Sequence, residues 1–142
     1  FAYLSAGEGP LALCLHGFPD SPWTWQHLMP ELATAGYRAV APYLRGYAPT
    51  EIPADGLYQP GAIGIDANRL HEALGGDGDA VLIGHDWGAI VAWSTVLLHP
   101  TRFTGLIAMS VPYVVRVAQS PMQSWRESFG ENFFYILWCN YI

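Results

Sequence analysis

Asp86, at the centre of Gly84-His85-Asp86-Trp87-Gly88, is the side chain best placed in this sequence to do covalent chemistry. The pentapeptide lies between an unbroken apolar run and an apolar helical stretch. Small residues two before and two after the centre permit a sharp strand-to-helix turn. Such a turn stands Asp86 on top of a sheet, at the amino end of the next helix, where the dipole and the backbone N–H groups favour an anion. A carboxylate so placed can attack carbon and form an ester. A helix-capping Asp has the same local sequence, so the position after a core strand is what carries the argument.

The loop His16-Gly17-Phe18-Pro19 follows an earlier apolar run. Backbone N–H groups of Phe18 and Trp87 could converge on the Asp86 carboxylate and hold the charge of the tetrahedral species when an ester there is hydrolysed. Pro19 has no N–H to offer, and a cis bond before it is compatible with such a loop. His16 is read as holding this loop by hydrogen bonds to backbone rather than as a base. Gly17 and Pro19 shape the same loop.

These positions require a scaffold, and the flanking patterns supply one. Phe1 to Leu4 is a short alternating piece before the turn-like GEGP. Leu11 to Leu15 (LALCL), Ala39 to Ala41, Ala80 to Ile83 and Phe103 to Met109 read as strands. Their continuous apolar character is that of strands covered on both faces. Trp23, Trp25, Leu28, Leu32 and Ala35 approximate a helical stripe capped by Gly36, with Pro30 predicted to split it in two. Residues 44–64 read as a long excursion. A helix follows over Ile65, Leu70, Ala73 and Leu74, with Asp66 near its start and GGDGD at 75–79 closing it. Ala89 to His99 is the next helix, closed by Pro100. The alternation of strand and helix predicts an α/β fold with a mostly parallel sheet.

Composition removes several function classes. The chain has 142 residues, 51% of them apolar and 13% charged, with 12 acidic and 6 basic side chains and a net charge of -6. No basic stripe could neutralise phosphates, which argues against nucleic acid as a partner. No run of 18 apolar residues exists, so no membrane span is expected. Cys14 and Cys139 have no metal-ligand spacing, and a single bridge between them has no support from the sequence. Cytoplasm is the default compartment.

HGFPD at 16–20, APYLRGYAPT at 41–50 and GHDWGA at 84–89 together resemble the epoxide hydrolases of the α/β-hydrolase fold, in spacing and in order. The resemblance implies Asp86 as nucleophile and Phe18 and Trp87 as the oxyanion donors. It also implies a cap Tyr within a run similar to Phe133-Phe134-Tyr135-Ile136-Leu137-Trp138, so Tyr135 would bind and protonate the epoxide oxygen. Phe134 and Trp138, with Phe18 and Trp87, suggest an apolar pocket. Residues 1–111 would form the amino-terminal part of the hydrolase core and 112–142 the start of a helical cap. A small apolar epoxide and water would be the reactants, with no metal or organic cofactor, and a homodimer is compatible with the reading.

The family also uses a His, a supporting acid and a second cap Tyr. His27, His71, His85 and His99 are all poorly placed for the base, and Ser110-Val111-Pro112 carries no acid. These groups are therefore expected in a carboxyl-terminal half beyond residue 142. Without them the 142 residues should not turn over, though Asp86 could still be alkylated. Haloalkane dehalogenases share the Asp chemistry but place Asn or Glu where Phe18 stands, and fluoroacetate dehalogenases place Arg where Trp87 stands. Esterases and lipases need Ser or Cys at position 86. A non-catalytic relative acting as a binding protein would have no need to keep Asp86, the HGFP loop and Tyr135 together.

Overall fold

A computed structural model describes residues 1–113. The sheet has five strands: β1 (Tyr3–Ala6), β2 (Leu11–Leu15), β3 (Arg38–Pro42), β4 (Val81–His85) and β5 (Gly105–Met109). Their spatial order is β1-β3-β2-β4-β5. β1 runs antiparallel to β3, and the remaining pairs are parallel. β2 is therefore flanked by β3 and β4 and is buried throughout, as its unbroken apolar run requires.

Alternation along β2 sorts its side chains between two cores. Leu11, Leu13 and Leu15 pack with Val40 and Leu82 of the neighbouring strands, with Ile63 and Ala67 of α2 (Pro60–Ala73) and with Val91 of α3 (Trp87–Leu98). Cys14 faces the other way, into a cluster with Trp25, Met29, Ala39, Ala41 and Ile83. That side is covered by a 3-10 turn at Pro22–Trp25 and by α1 (Leu28–Thr34). Burial of each of the three leucines contributes about 1.5–3 kcal/mol relative to exposure, so β2 anchors both layers. Among the described residues no helix is long and apolar enough to cross a membrane.

Most element boundaries differ from the sequence expectations by one or two residues, and three differences have a clear physical reason. The helical stripe after Ser21 breaks at Gln26 and His27 rather than at Pro30, which lies in the first turn of α1. There its missing N–H has no acceptor within the helix, so proline is tolerated. α2 begins at Pro60, five residues before the expected start, because Pro60 presets the helical φ of the first position. Gly64 within α2 makes a close approach to α3, since a Cβ there would lie 3.2 Å from Ser94 Cβ and Thr95 N. Phe103 precedes β5 rather than belonging to it, and packs into the larger core instead. Gly36 does follow α1 with φ +87, as the expected cap.

Cys14 is free and fully buried, and burial pushes its thiol up to about 12. A buried thiol in apolar surroundings is inert. A maleimide should therefore modify Cys14 on the order of 10³-fold more slowly than an unfolded-chain cysteine, because so little thiolate exists near neutral pH. Peptide mass spectrometry with and without denaturant measures this directly. Rapid labelling of Cys14 in native buffer would contradict the buried placement.

Candidate active site

β4 ends at His85, and α3 begins at Trp87, so a single residue makes the turn. That residue, Asp86, has φ +54 and ψ −119, a conformation that costs a side-chain-bearing residue about 1–3 kcal/mol. The surrounding glycines are steric requirements of this turn. A Cβ on Gly84 would lie 2.4 Å from Gly88 O, and a Cβ on Gly88 would lie 2.0 Å from Leu15 O. α3 thus starts almost in contact with the end of β2, and the turn is closed by Asp86 N–H donating to Met109 O at 3.1 Å.

Asp86 occupies the cap position of α3, yet its side chain caps nothing. Instead its Oδ1 accepts the Phe18 N–H at 3.0 Å, across from the loop that follows β2. Gly17 makes this approach possible, because a Cβ there would meet Asp86 Cβ at 2.6 Å and Oδ1 at 2.8 Å. The ordinary capping role available to Asp86 is therefore not the one it takes. Trp87 N–H is the first amide of α3 and has no acceptor within its own helix. The Phe18–Pro19 bond is cis.

His16 is fully buried beneath this loop. Its Nδ1 lies 2.9 Å from Gly17 O, and its Nε2 accepts the Leu44 N–H at 3.2 Å. Burial lowers its pKa, opposed by the Gly17 hydrogen bond and by Asp20, so both ring nitrogens are committed and the ring favours its neutral form. Tyr47 meets the same ring edge to face at 4.6 Å. The Tyr47 phenol is pushed up, first by burial and then by the charges of Asp86 and Asp20.

An ion-pair cluster that sequence reasoning missed holds the 44–50 segment. Arg45 Nε and Nη2 grip Asp66 Oδ2 and Oδ1 at 2.6 and 2.8 Å, and Nη1 reaches Asp55 Oδ1 and Leu57 O. The Arg45 and Asp66 side chains are only 9% and 6% exposed. Bidentate pairing of this kind is the strong form of the interaction. It raises the Arg45 pKa, with Asp66 the larger cause and Asp55 the next. Asp66 is therefore a buried partner of Arg45 in the second turn of α2, not an acid serving the helix dipole at the first turn.

The remaining histidines stand apart from this arrangement. His27 and His99 are exposed at helix ends, and His71 is buried against Phe103 with Nε2 on Asp77 O. His85 is half-buried at the end of β4. Trp93 Nε1 donates to Val111 O, and its ring lies 5.3 Å from that of Tyr113, so the chain leaves the core beside α3. Phe134, Tyr135 and Trp138 lie outside the described residues.

A family model described as the alpha/beta hydrolase fold matches residues 10–138. An epoxide hydrolase of Caballeronia sordidicola is 45% identical over 131 residues, covering 92% of this chain and 40% of that protein. Epoxide hydrolase A of Mycobacterium tuberculosis is 42% identical over 138 residues, covering 95% and 42%. Among solved structures, epoxide hydrolase A from Mycobacterium thermoresistibile superposes with a TM-score of 0.83 at 39% identity, covering 96% of this chain and 44% of that one. An epoxide hydrolase from Vigna radiata gives 0.81 at 38%, covering 93% and 43%. The chain thus spans about two fifths of the length of these relatives.

Proposed function

Because this chain belongs to the α/β-hydrolase fold family, we propose that it carries the nucleophile and part of the oxyanion site of an epoxide hydrolase. The observation that carries the reading is the Asp86 carboxylate, held at a strained turn and bonded to Phe18 N–H instead of capping α3. The epoxide hydrolases similar to this chain supply the substrate class.

The Phe18 contact distinguishes the two carboxylate oxygens. Oδ2 is the nucleophile: it forms a bond to an epoxide carbon as that carbon's bond to the ring oxygen breaks. The ring oxygen takes a proton from the Tyr135 phenol and becomes a hydroxyl. Oδ1 becomes the ester carbonyl oxygen, already beside Phe18 N–H. Water then adds to Cγ of Asp86 and gives up a proton to a base, and the charge on Oδ1 is held by the N–H groups of Phe18 and Trp87. Collapse breaks the bond from Cγ to Oδ2, and the departing oxygen takes the proton held by the base to complete a vicinal diol. The water's second proton, released as the carboxylate re-forms, returns to the Tyr135 phenolate. His16, through both ring nitrogens, and His71, through Nε2, are engaged with backbone groups and are not assigned as the base. Phe18, Trp87, Phe134 and Trp138 would form the apolar wall, and the cytoplasm is the compartment proposed.

A single-turnover experiment tests this on the full-length protein that carries the chain. With enzyme in excess over styrene oxide in H₂¹⁸O, the first diol should carry an unlabelled oxygen from Asp86, and solvent label should reach the carboxylate. Label appearing in the first-turnover diol would mean direct attack by water and would remove the ester. Halide release from a chloroalkane, without diol from the epoxide, would move the reading to a dehalogenase.

A further inference from the structure

Phe18 N–H and Gly17 C=O belong to one peptide unit, which is trans, so they point in opposite directions. The N–H faces Asp86 Oδ1 at 3.0 Å. The C=O faces His16 Nδ1 at 2.9 Å and also accepts Asp20 N–H at 3.2 Å. Whatever fixes the carbonyl therefore fixes the direction of the donor on its far side.

The His16 ring can do so in one tautomer only. Leu44 N–H is a donor and cannot accept, so Nε2 must be the bare nitrogen and Nδ1 must carry the proton. That proton is the one given to Gly17 O. Leu44 is in turn held by its neighbour Arg45, through Asp66, Asp55 and Leu57 O, and the ring is backed by Tyr47.

We propose that His16 is a positioning residue for the oxyanion donor: the Leu44 amide locks it as the Nδ1–H tautomer, and it aims the Gly17–Phe18 peptide at Asp86. The assignment of a step rests on the epoxide hydrolase reading. Because the aimed N–H serves Oδ1 once Oδ1 is an ester carbonyl, His16 governs ester hydrolysis far more than ester formation. A residue that only stabilised the fold would affect both steps alike.

Two variants separate the functions of the ring. His16→Asn can place an amide N–H where Nδ1–H stands, and so keeps the bond to Gly17 O. His16→Gln can place an oxygen where Nε2 stands, and so keeps the Leu44 bond while losing the other. Rapid quench with styrene oxide, followed by intact-mass measurement of alkylated enzyme, reads formation and hydrolysis of the ester separately. H16Q should slow hydrolysis about 10-fold or more, since loss of a full oxyanion donor costs about 10²–10³-fold, and alkylated enzyme should accumulate. Formation should change less than about 3-fold, a far smaller effect than losing such a donor, and H16N should hydrolyse its ester close to the wild-type rate. Equal slowing of both steps in both variants would overturn the proposal.

A measurement on the unsubstituted protein guards against variants that fail to fold. Long-range ¹H–¹⁵N correlation of the His16 ring should show the proton on Nδ1, and a proton on Nε2 would overturn the proposal without any assay. The Phe18 amide proton should move in H16Q and stay in place in H16N. Wild-type enzyme that forms neither ester nor diol would sink the epoxide reading, whereas the ring tautomer and the Phe18 amide decide the positioning claim separately.

Discussion

On the proposed epoxide hydrolase reading, Asp86→Ala in the full-length protein should reduce diol formation by on the order of 10⁶-fold, the loss seen when a covalent nucleophile is removed. No alkylated enzyme should be detectable by mass. Asp86→Gly should be equally inactive yet more stable than Asp86→Ala. Both variants lose the carboxylate and its hydrogen bond from Phe18 N–H, so those losses cancel in the comparison. What remains is the backbone: φ +54 with ψ −119 strains alanine and not glycine. Relief of about 1–3 kcal/mol is offset by about 0.4–1 kcal/mol for the freer unfolded chain of a glycine. The glycine variant should therefore be more stable by about 1 kcal/mol, read as a higher denaturant midpoint at unchanged slope. Equal midpoints would show that Asp86 stores no strain, and residual turnover in both variants would place the nucleophile elsewhere.

The parts of the site visible in the sequence are those set by local sterics. Gly84 and Gly88 around Asp86, and Gly17 before Phe18, reflect close approaches that forbid a Cβ, and such requirements appear as residue types at fixed offsets. β2 and its burial follow from five consecutive apolar residues. The Arg45 cluster was not visible, because Arg45 and Asp66 are 21 residues apart and an ion pair leaves no periodic trace. Asp66, taken alone, looks like an acid near a helix start. Its true setting depends on α2 beginning at Pro60, a boundary hidden by a run rich in glycine and proline. The Leu44 N–H that fixes the His16 tautomer is a backbone group, equally silent in sequence.

Gly88→Ala tests whether the turn at Asp86 and the core are one mechanical unit. The added Cβ would lie 2.0 Å from Leu15 O, 2.5 Å from Leu15 C and 2.7 Å from His16 O. All three are backbone atoms, so no rotamer change makes room. Leu15 is fixed in turn by its pairing with Gly84 in β4, which feeds the same turn. α3 must then move outward, uncovering Val91 and Ala92 and carrying Asp86 away from Phe18 N–H. Overpacking of a tight core costs about 1–3 kcal/mol and more when backbone must shift, so a loss of about 3 kcal/mol or more is expected. That is a large fraction of the about 5–15 kcal/mol that holds a domain together. Gly61→Ala is the control, since Gly61 lies in α2 with nothing within 4 Å of an added Cβ. It should be neutral or stabilising by about 0.4–1 kcal/mol. If denaturant midpoints of the two variants fall together, the contact between α3 and the end of β2 is looser than the geometry states. If Gly88→Ala alone collapses, the strained placement of Asp86 is held by the packing of α3 against β2.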